Sequence, residues 1–290
     1  MKRFTARSLQ NSWGSDESAK ARARRGRWST GPNELELEVF GRFLKKAIQG
    51  KENPKALVLG ATTELRDIAI DYGCECLAVD LSPRLLYMFH NAMKHKESEK
   101  NHYMKGDWFK MEQFFLPESF DVVLADCSLN NIPAEDNNVM MRITRNLLRK
   151  GGYFISRSFV YCPERRNREI KEFIKEFNED RNTPVGLFLE MAMHSKFTEI
   201  GLEKEKKEIF WEKIAEDIMR SVEKDIPEKE MAYIRNIGEH AKVHSSIVFE
   251  KDEFEAMLRN HFEIESIEMI EKYVYTKGMP IYVLKKKEGN

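Results

Sequence analysis

Hydrophobic positions along this chain fall into short unbroken runs and into stripes at helical spacing. Ala56 to Leu59 is an unbroken apolar run, as expected of a strand buried on both faces, and it stops at Gly60. Leu65, Ile68, Ala69 and Tyr72 then recur at helical spacing, with Gly73 placed where a helix takes a left-handed cap. A second short strand, Leu77 to Val79, ends in Asp80, twenty positions after Gly60. Strand, turn, helix, strand, acid is how an open parallel sheet holds a nucleoside. The turn admits the ligand to the backbone, the helix N-terminus offers N–H groups, and the carboxylate accepts the ribose hydroxyls.

The same reading extends in both directions. Glu34–Ile48 places Leu35, Leu37, Val39, Phe40, Phe43 and Leu44 on one broad apolar helix face that covers one side of the sheet. Ser82 and Pro83 open a further helix as N-cap and first turn, with Leu85, Leu86, Phe89 and Met93 as its buried stripe. The segment His102–Phe109 reads as a strand running into Gly106-Asp107-Trp108, an acceptor and a flat aromatic suited to adenine. Phe120–Asp126 is a strand, followed by a polar loop to Pro133. A helix bearing Val139, Met140, Ile143, Leu147 and Leu148 comes next, ended by Gly151, and Tyr153–Val160 is a fifth strand. Repeated alternation of strand and helix implies a parallel sheet with helices on both faces.

Residues 163–245 break the rhythm. Four amphipathic stripes are expected there as helices: one from Ile170 to Phe177, a second carrying Leu187, Phe188, Met191 and Met193, a third with Ile209, Phe210, Ile214, Ile218 and Val222, and a fourth over Met231–His240. They suggest a helical lid over the strand ends. A last helix carries Phe254, Met257, Leu258 and Phe262. Two closing strands, Glu263–Ile270 and Ile281–Leu284, meet across Lys277-Gly278-Met279-Pro280. The resulting division is 1–50, a basic arm and covering helix; 51–162, a nucleoside-binding core; 163–245, the helical insertion; and 246–290, the closing helix and strands.

Composition narrows the function classes. Lysine plus arginine equals aspartate plus glutamate, 48 each, which argues against a nucleic-acid partner and a membrane surface. No apolar run is long enough to span a bilayer and Met1-Lys2-Arg3-Phe4 opens no signal peptide, so a cytoplasmic location is expected. Four cysteines make no disulfide scaffold, and Cys74-x-Cys76 lacks a second pair at zinc-ligand spacing, so no metal is expected. The charge that does cluster lies in residues 1–28, an arm with Trp13 and Trp28 that lies on the surface, folds over the pocket or touches a phosphate-bearing substrate.

Together these motifs resemble the class I S-adenosylmethionine-dependent methyltransferases, over roughly residues 55–160 and the strands after 250. Leu59-Gly60-Ala61-Thr62-Thr63-Glu64 stands at the family's glycine-rich first motif, Val79-Asp80-Leu81-Ser82 at the acidic second, and Gly106-Asp107-Trp108 at the third. Phe120–Asp126 with its loop to Pro133 stands at the fourth, and Leu147–Phe154 at the helix, Gly-Gly and strand element after it. The resemblance implies a doubly wound α/β fold, with a mostly parallel seven-stranded sheet and an antiparallel last strand, here carrying a helical insertion. It implies S-adenosyl-L-methionine as cofactor, held by Gly60, Ala61, Thr62 and Glu64 in the loop and by Asp80 and Leu81 at the ribose. Asp107 and Trp108 would meet the adenine, and Asp126, Ser128 and Leu129 would form the floor.

The first motif departs from the family pattern, with one glycine where three are usual and no acid before it. The cofactor's ammonium must therefore find other acceptors: backbone carbonyls, Thr62 or Glu64. The single glycine also argues against a nicotinamide dehydrogenase, whose pyrophosphate needs G-x-G-x-x-G. Because a sulfonium methyl is already activated, the protein mainly aligns a nucleophile and excludes water, and no catalytic triad is required. A small-molecule acceptor is expected, with Trp28, Arg157, Tyr161 and His194 as candidate contacts and His240 and His244 as further histidines of the insertion. An RNA or protein methyltransferase docking through the arm and a non-catalytic cofactor binder are the alternatives. The acceptor atom and oligomeric state stay open.

Overall fold

The computed structural model describes residues 31–241 and 245–287. Trp13, Trp28, the arm, the His240 side chain and His244 lie outside the described residues. The chain opens with α1 (Glu34–Ile48), started by a capping box: the Asn33 side chain accepts Glu36 N–H at 3.0 Å and Glu36 accepts Asn33 N–H at 2.8 Å. There follow β1 (Lys55–Leu59), α2 (Thr63–Asp71), β2 (Glu75–Asp80), α3 (Pro83–Asn91), β3 (Asn101–Lys105) and β4 (Phe120–Asp126), then α4 (Asn137–Leu147) and β5 (Leu148–Arg157). Gly73 has φ +88° after α2, and Ser82 Oγ accepts Leu85 N–H at 3.2 Å, as the capping residues lead one to expect.

With β11 (Phe262–Glu268) and β12 (Ile281–Lys286) from the end of the chain, the seven-stranded sheet runs β11–β12–β5–β4–β1–β2–β3. Strands β1 to β5 pair in parallel, and β12 is antiparallel to both β5 and β11. Alternate residues of each strand serve opposite faces. Leu57, Leu59, Val123 and Ala125 meet α4 and α10 (Lys251–His261) through Met140, Leu147, Phe254 and Leu258. Ala56, Val58, Val122 and Leu124 meet α1, α2 and α3 through Phe40, Leu44, Leu65 and Leu86. With both faces covered, the central strands are apolar throughout.

After β5 come β6 (Val160–Tyr161), α5 (Ile170–Asn178), α6 (Pro184–His194), α7 (Thr198–Gly201), β7 (Leu202–Glu203), β8 (Glu208–Phe210), α8 (Ala215–Val222), α9 (Glu228–Ala241), β9 (Ser245–Ile247) and β10 (Phe249–Glu250). The expected third helix is shorter than its stripe suggested. Ile209 and Phe210 belong to β8, which pairs with β7 and β9, and the helix starts at Ala215. Ile209 and Trp211 still join Phe188, Met191, Ile218 and Ile234 in one core, so the stripe recorded burial but not backbone form.

The closing strands are also not joined by a tight turn. The connection 269–280 buries Tyr273, Tyr275 and Met279 in the core of the helices, and only its end coincides with Lys277–Pro280. Gly151, expected to end α4, instead lies at φ +67° inside β5, where the pairing with β4 shifts register. The helix itself stops at Leu147.

Candidate functional site

The carboxyl ends of β1 and β2 meet at Gly60. Its N–H donates to Val79 O at 2.9 Å and its φ is +107°, a conformation that favours glycine. A Cβ there would lie 3.8 Å from Asp80 Oδ2 and 3.8 Å from the Trp108 ring, in the cleft between the two side chains. Ala61 and Thr62 continue the loop, both buried, and Thr62 holds the N-cap position of α2 without a side-chain cap bond. The first N–H groups of α2 thus rise from this loop. Glu64, in the first turn, is buried and already engaged.

Asp80 is 7% exposed, and its Oδ1 accepts Ser82 N–H at 2.7 Å. Burial pushes its carboxyl up to about 6, because that one backbone bond does not offset the lost hydration. Leu81 is half-buried beside it. Trp108, also half-buried, donates Nε1–H to Val79 O at 2.7 Å, the carbonyl that Gly60 N–H also uses. Asp107 accepts Phe109 N–H at 3.0 Å and so caps the turn that carries Trp108. The structure therefore brings Gly60, Asp80 and Trp108 together.

At the ends of β4 and β5 a second set is formed. Ser128 Oγ donates to Leu59 O at 2.6 Å, tying the loop after β4 to the residue before Gly60. Cys127 precedes it in a left-handed conformation, φ +53°. Asp126 Oδ1 accepts from Arg157 Nε at 2.8 Å and Nη2 at 2.7 Å, across the β4–β5 register pair. Arg157 Nη1 reaches Glu36 Oε2 at 2.7 Å. All three side chains are buried, and the two carboxylates hold the guanidinium well above its usual range despite burial. Burial in turn raises Glu36 above the ordinary carboxylate range, the Arg157 charge opposing it. Arg157 is thus taken up by Asp126 and Glu36 rather than presented to an acceptor.

The other sequence candidates lie elsewhere. Leu129 is 1% exposed and points into the core with Met140 and Phe154. Tyr161 stacks on His194 with ring centroids 5.7 Å apart and accepts Arg166 Nε–H at 2.7 Å. His194 is fully buried; its Nε2 accepts Cys162 N–H at 3.2 Å, which leaves the proton on Nδ1, 3.6 Å from Glu190 Oε1. Both belong to the interior of the helical unit. Among the described residues no group of three or more His, Cys, Asp or Glu could hold a metal ion, and no helix is long and apolar enough to cross a membrane.

Sequence reasoning missed Glu36, Asn33, Tyr275 and Asn130. Asn33 Nδ2–H donates to Tyr275 Oη at 2.7 Å. Asn130 donates to the carbonyls of Phe159 at 3.1 Å and Ile247 at 2.6 Å, and accepts Phe159 N–H at 2.9 Å, so it pins the helical unit to the strand ends. The N-x-x-E pattern of a capping box was readable at Asn33–Glu36, but the partner of its glutamate lies 121 positions away.

Residues 60–221 match a family model described as a methyltransferase domain, more than half of the chain. No curated protein matches the sequence. Solved structures share the fold at low identity. A Rhodobacter sphaeroides protein described as a candidate Zn-dependent alcohol dehydrogenase is 13% identical, with TM-score 0.57, covering 99% of this chain and 100% of that one. The PH0226 protein of Pyrococcus horikoshii OT3 is 17% identical, with TM-score 0.53, covering 96% of each. The N-methyltransferase NodS of Bradyrhizobium japonicum WM9, solved with S-adenosylhomocysteine, is 11% identical, with TM-score 0.51, covering 98% of this chain and 100% of that one. At such identities the likeness is one of fold, and the family match carries the assignment. The chain belongs to the class I S-adenosylmethionine-dependent methyltransferases.

Proposed function

We propose that this methyltransferase acts on a small-molecule acceptor, and that Gly60, Asp80 and Trp108 hold the nucleoside of S-adenosylmethionine. The cleft at Gly60 fits the group: a Cβ would enter the space between Asp80 Oδ2 and the indole, and the backbone is open to close approach. Asp80 would accept the ribose hydroxyls with Leu81 alongside, and Trp108 would offer its face to adenine with Asp107 at the rim. Ala61, Thr62 and Glu64 shape the loop. When bound, the cofactor supplies a methyl already activated on a sulfonium.

The chain's own contribution is then alignment and exclusion of water. Asp126 and Ser128 fix the floor: Ser128 locks Leu59 O, and Asp126 is held rigid by Arg157. Leu129 supports that floor from the core. Tyr161 and His194 set the packing of the helical unit. Trp28 remains a candidate acceptor contact.

One observation carries the small-molecule reading. The helical unit closes over the carboxyl ends of β4 and β5, where Leu35, Cys127 and Phe159 pack against its core and Asn130 fastens it. An enclosed strand edge suits a small acceptor better than a polymer, and the balanced charge of the chain supports the same choice. The test is S-adenosylhomocysteine release over a panel of small amines, phenols and carboxylic acids, set beside RNA and protein at low and high salt. Turnover with a small acceptor, insensitive to salt, is expected. Salt-sensitive turnover with RNA or protein alone refutes the reading.

A further inference from the structure

The polar groups at the carboxyl ends of β4 and β5 are turned on one another. Asp126 and Glu36 share the Arg157 guanidinium, and all three side chains are buried. Asn130 is buried too, and spends its amide on the carbonyls of Phe159 and Ile247 and on Phe159 N–H. Asn131 Nδ2–H donates to Cys127 O at 2.9 Å, Cys127 N–H to Arg157 O at 2.8 Å, and Ser128 Oγ–H to Leu59 O at 2.6 Å. The side chains that pack from this edge against the core of the helical unit are apolar. They are Leu35 of α1, Cys127 after β4 and Phe159 after β5, each half-buried and each beside a member of the Asp126–Arg157–Glu36 cluster in sequence.

This apolar wall stands next to the loop at Gly60. Leu59 pairs with Ala125, so the loops that follow the two strands, at Gly60 and at Cys127, leave the sheet about one strand spacing apart, roughly 5 Å. Asp126 pairs with Arg157, which sets Phe159 on the far side of Cys127 from Gly60. The Phe159 ring lies 6.4 Å from that of Trp211, itself 6.1 Å from Phe188, so the aromatic surface continues into the helical unit. A carboxylate, phosphate or ammonium laid on this wall would lose hydration and meet charges that already neutralise one another. Apolar surface laid there is favoured in proportion to the area it removes from water.

We propose that the methyl acceptor is an uncharged, apolar molecule that lies on Leu35, Cys127 and Phe159. These three side chains set the specificity, Cys127 nearest the cofactor loop and Phe159 toward the helical unit. Ser128 and Asn130 are positioning residues in this arrangement: one ties the turn that bears Cys127 to Leu59, the other ties it to Phe159. The inference rests on the small-molecule reading above and narrows it to a substrate class.

The test uses the full chain saturated with S-adenosylhomocysteine, and competition of substituted phenols against the neutral fluorophore N-phenyl-1-naphthylamine. From 4-methylphenol to 4-propylphenol, affinity should rise about threefold to fourfold per methylene. Tyramine and 4-hydroxyphenylacetate, the same ring with an ammonium or a carboxylate, should bind about tenfold or more weakly than 4-ethylphenol. Leu35→Lys should weaken 4-propylphenol and strengthen 4-hydroxyphenylacetate. Cys127→Asp, at a left-handed backbone that suits aspartate, should weaken 4-propylphenol and strengthen tyramine, and decides the matter if the lysine variant fails to fold. Retention of S-adenosylhomocysteine binding within about twofold shows that a variant is folded. The proposal is overturned if the fluorophore does not bind, if the alkyl series is flat, or if the wild type prefers a charged ring. It is equally overturned if folded variants keep the wild-type order, since the phenols would then lie elsewhere. The readings beneath it fail differently: a wild type that does not bind S-adenosylhomocysteine refutes the nucleoside placement, and turnover with RNA or protein alone refutes the small-molecule reading.

Discussion

Asp80 combines a structural cost with a proposed ligand role, and replacing it with asparagine separates the two. Its carboxyl stands at about 6 in the folded chain against an ordinary 3.8. A shift of that size is worth about 3 kcal/mol at 1.36 kcal/mol per pKa unit. Because the folded value is raised, the contribution favours folding fully only below the unfolded value and is lost as pH rises through about 6. At pH 7.5 the wild type therefore carries an ionised, buried carboxylate whose hydrogen-bond donor among the described residues is Ser82 N–H. Asp80→Asn keeps an oxygen for that bond and removes the charge. The variant should be more stable than wild type by about 1–3 kcal/mol at pH 7.5, some fraction of the cost being retained by the buried amide. The gain should shrink toward zero between pH 6 and pH 4. In the same variant, binding of S-adenosylhomocysteine should fall by about tenfold or more, since an amide is a weaker acceptor for ribose hydroxyls. Urea melts at pH 7.5, 6 and 4.5, with calorimetry alongside, give both numbers. A variant destabilised equally at every pH would refute the reasoning and leave Asp80 a turn-capping group.

Arg157→Met should destabilise the fold by about 3–5 kcal/mol at pH 7.5, since Asp126 and Glu36 lose the cation that they share while buried; urea melts should show the loss diminishing toward acid pH, because burial raises the Glu36 carboxyl above its ordinary range and protonation removes its charge. Gly60→Ala places a side chain at φ +107° with only ordinary contacts around its Cβ, so a backbone penalty of about 1–3 kcal/mol is expected in a thermal melt, with weaker nucleoside binding. Trp108→Phe removes the bond to Val79 O and should cost about 1 kcal/mol of stability while retaining an aromatic face for adenine. Calorimetry should then find a smaller loss of affinity than for Trp108→Ala.

Local signals carried most of the fold. Ala56–Leu59 and Phe120–Asp126 read as strands because burial on both faces leaves no polar position, and Gly73 and Ser82 read as caps because each satisfies or relaxes its own neighbouring backbone. The same logic misled at Ile209 and Phe210. An apolar pair at helical spacing from Ile214 is buried in either backbone form, and the choice was made by pairing with β9, some 37 residues along the chain. Tyr273 and Tyr275 posed the opposite problem. Nothing local shows that a stretch between two strands lies against α6, where a Cβ on Gly186 would meet the Tyr275 ring at 2.5 Å.

The contacts around the strand ends divide along the same line, and the division explains why the Glu36–Arg157 pair escaped notice. Gly60 and Asp80 belong to one strand–helix–strand unit, so their spacing alone brings them together at the end of the sheet. Glu36 meets Arg157 only because α1 lies across β4 and β5 with its N-terminus at their carboxyl ends, a placement set by Phe40 and Leu44 packing on Val122, Leu124 and Ile155. In sequence it is an ordinary first-turn acid that completes a capping box, and one of its oxygens does that work. Its second role, sharing the Arg157 guanidinium with Asp126 inside the fold, arises only when the end of β5 comes against α1. A residue whose chemistry depends on two distant elements meeting cannot be read from periodicity. The buried ion pair that the two elements form is the signal that reveals it.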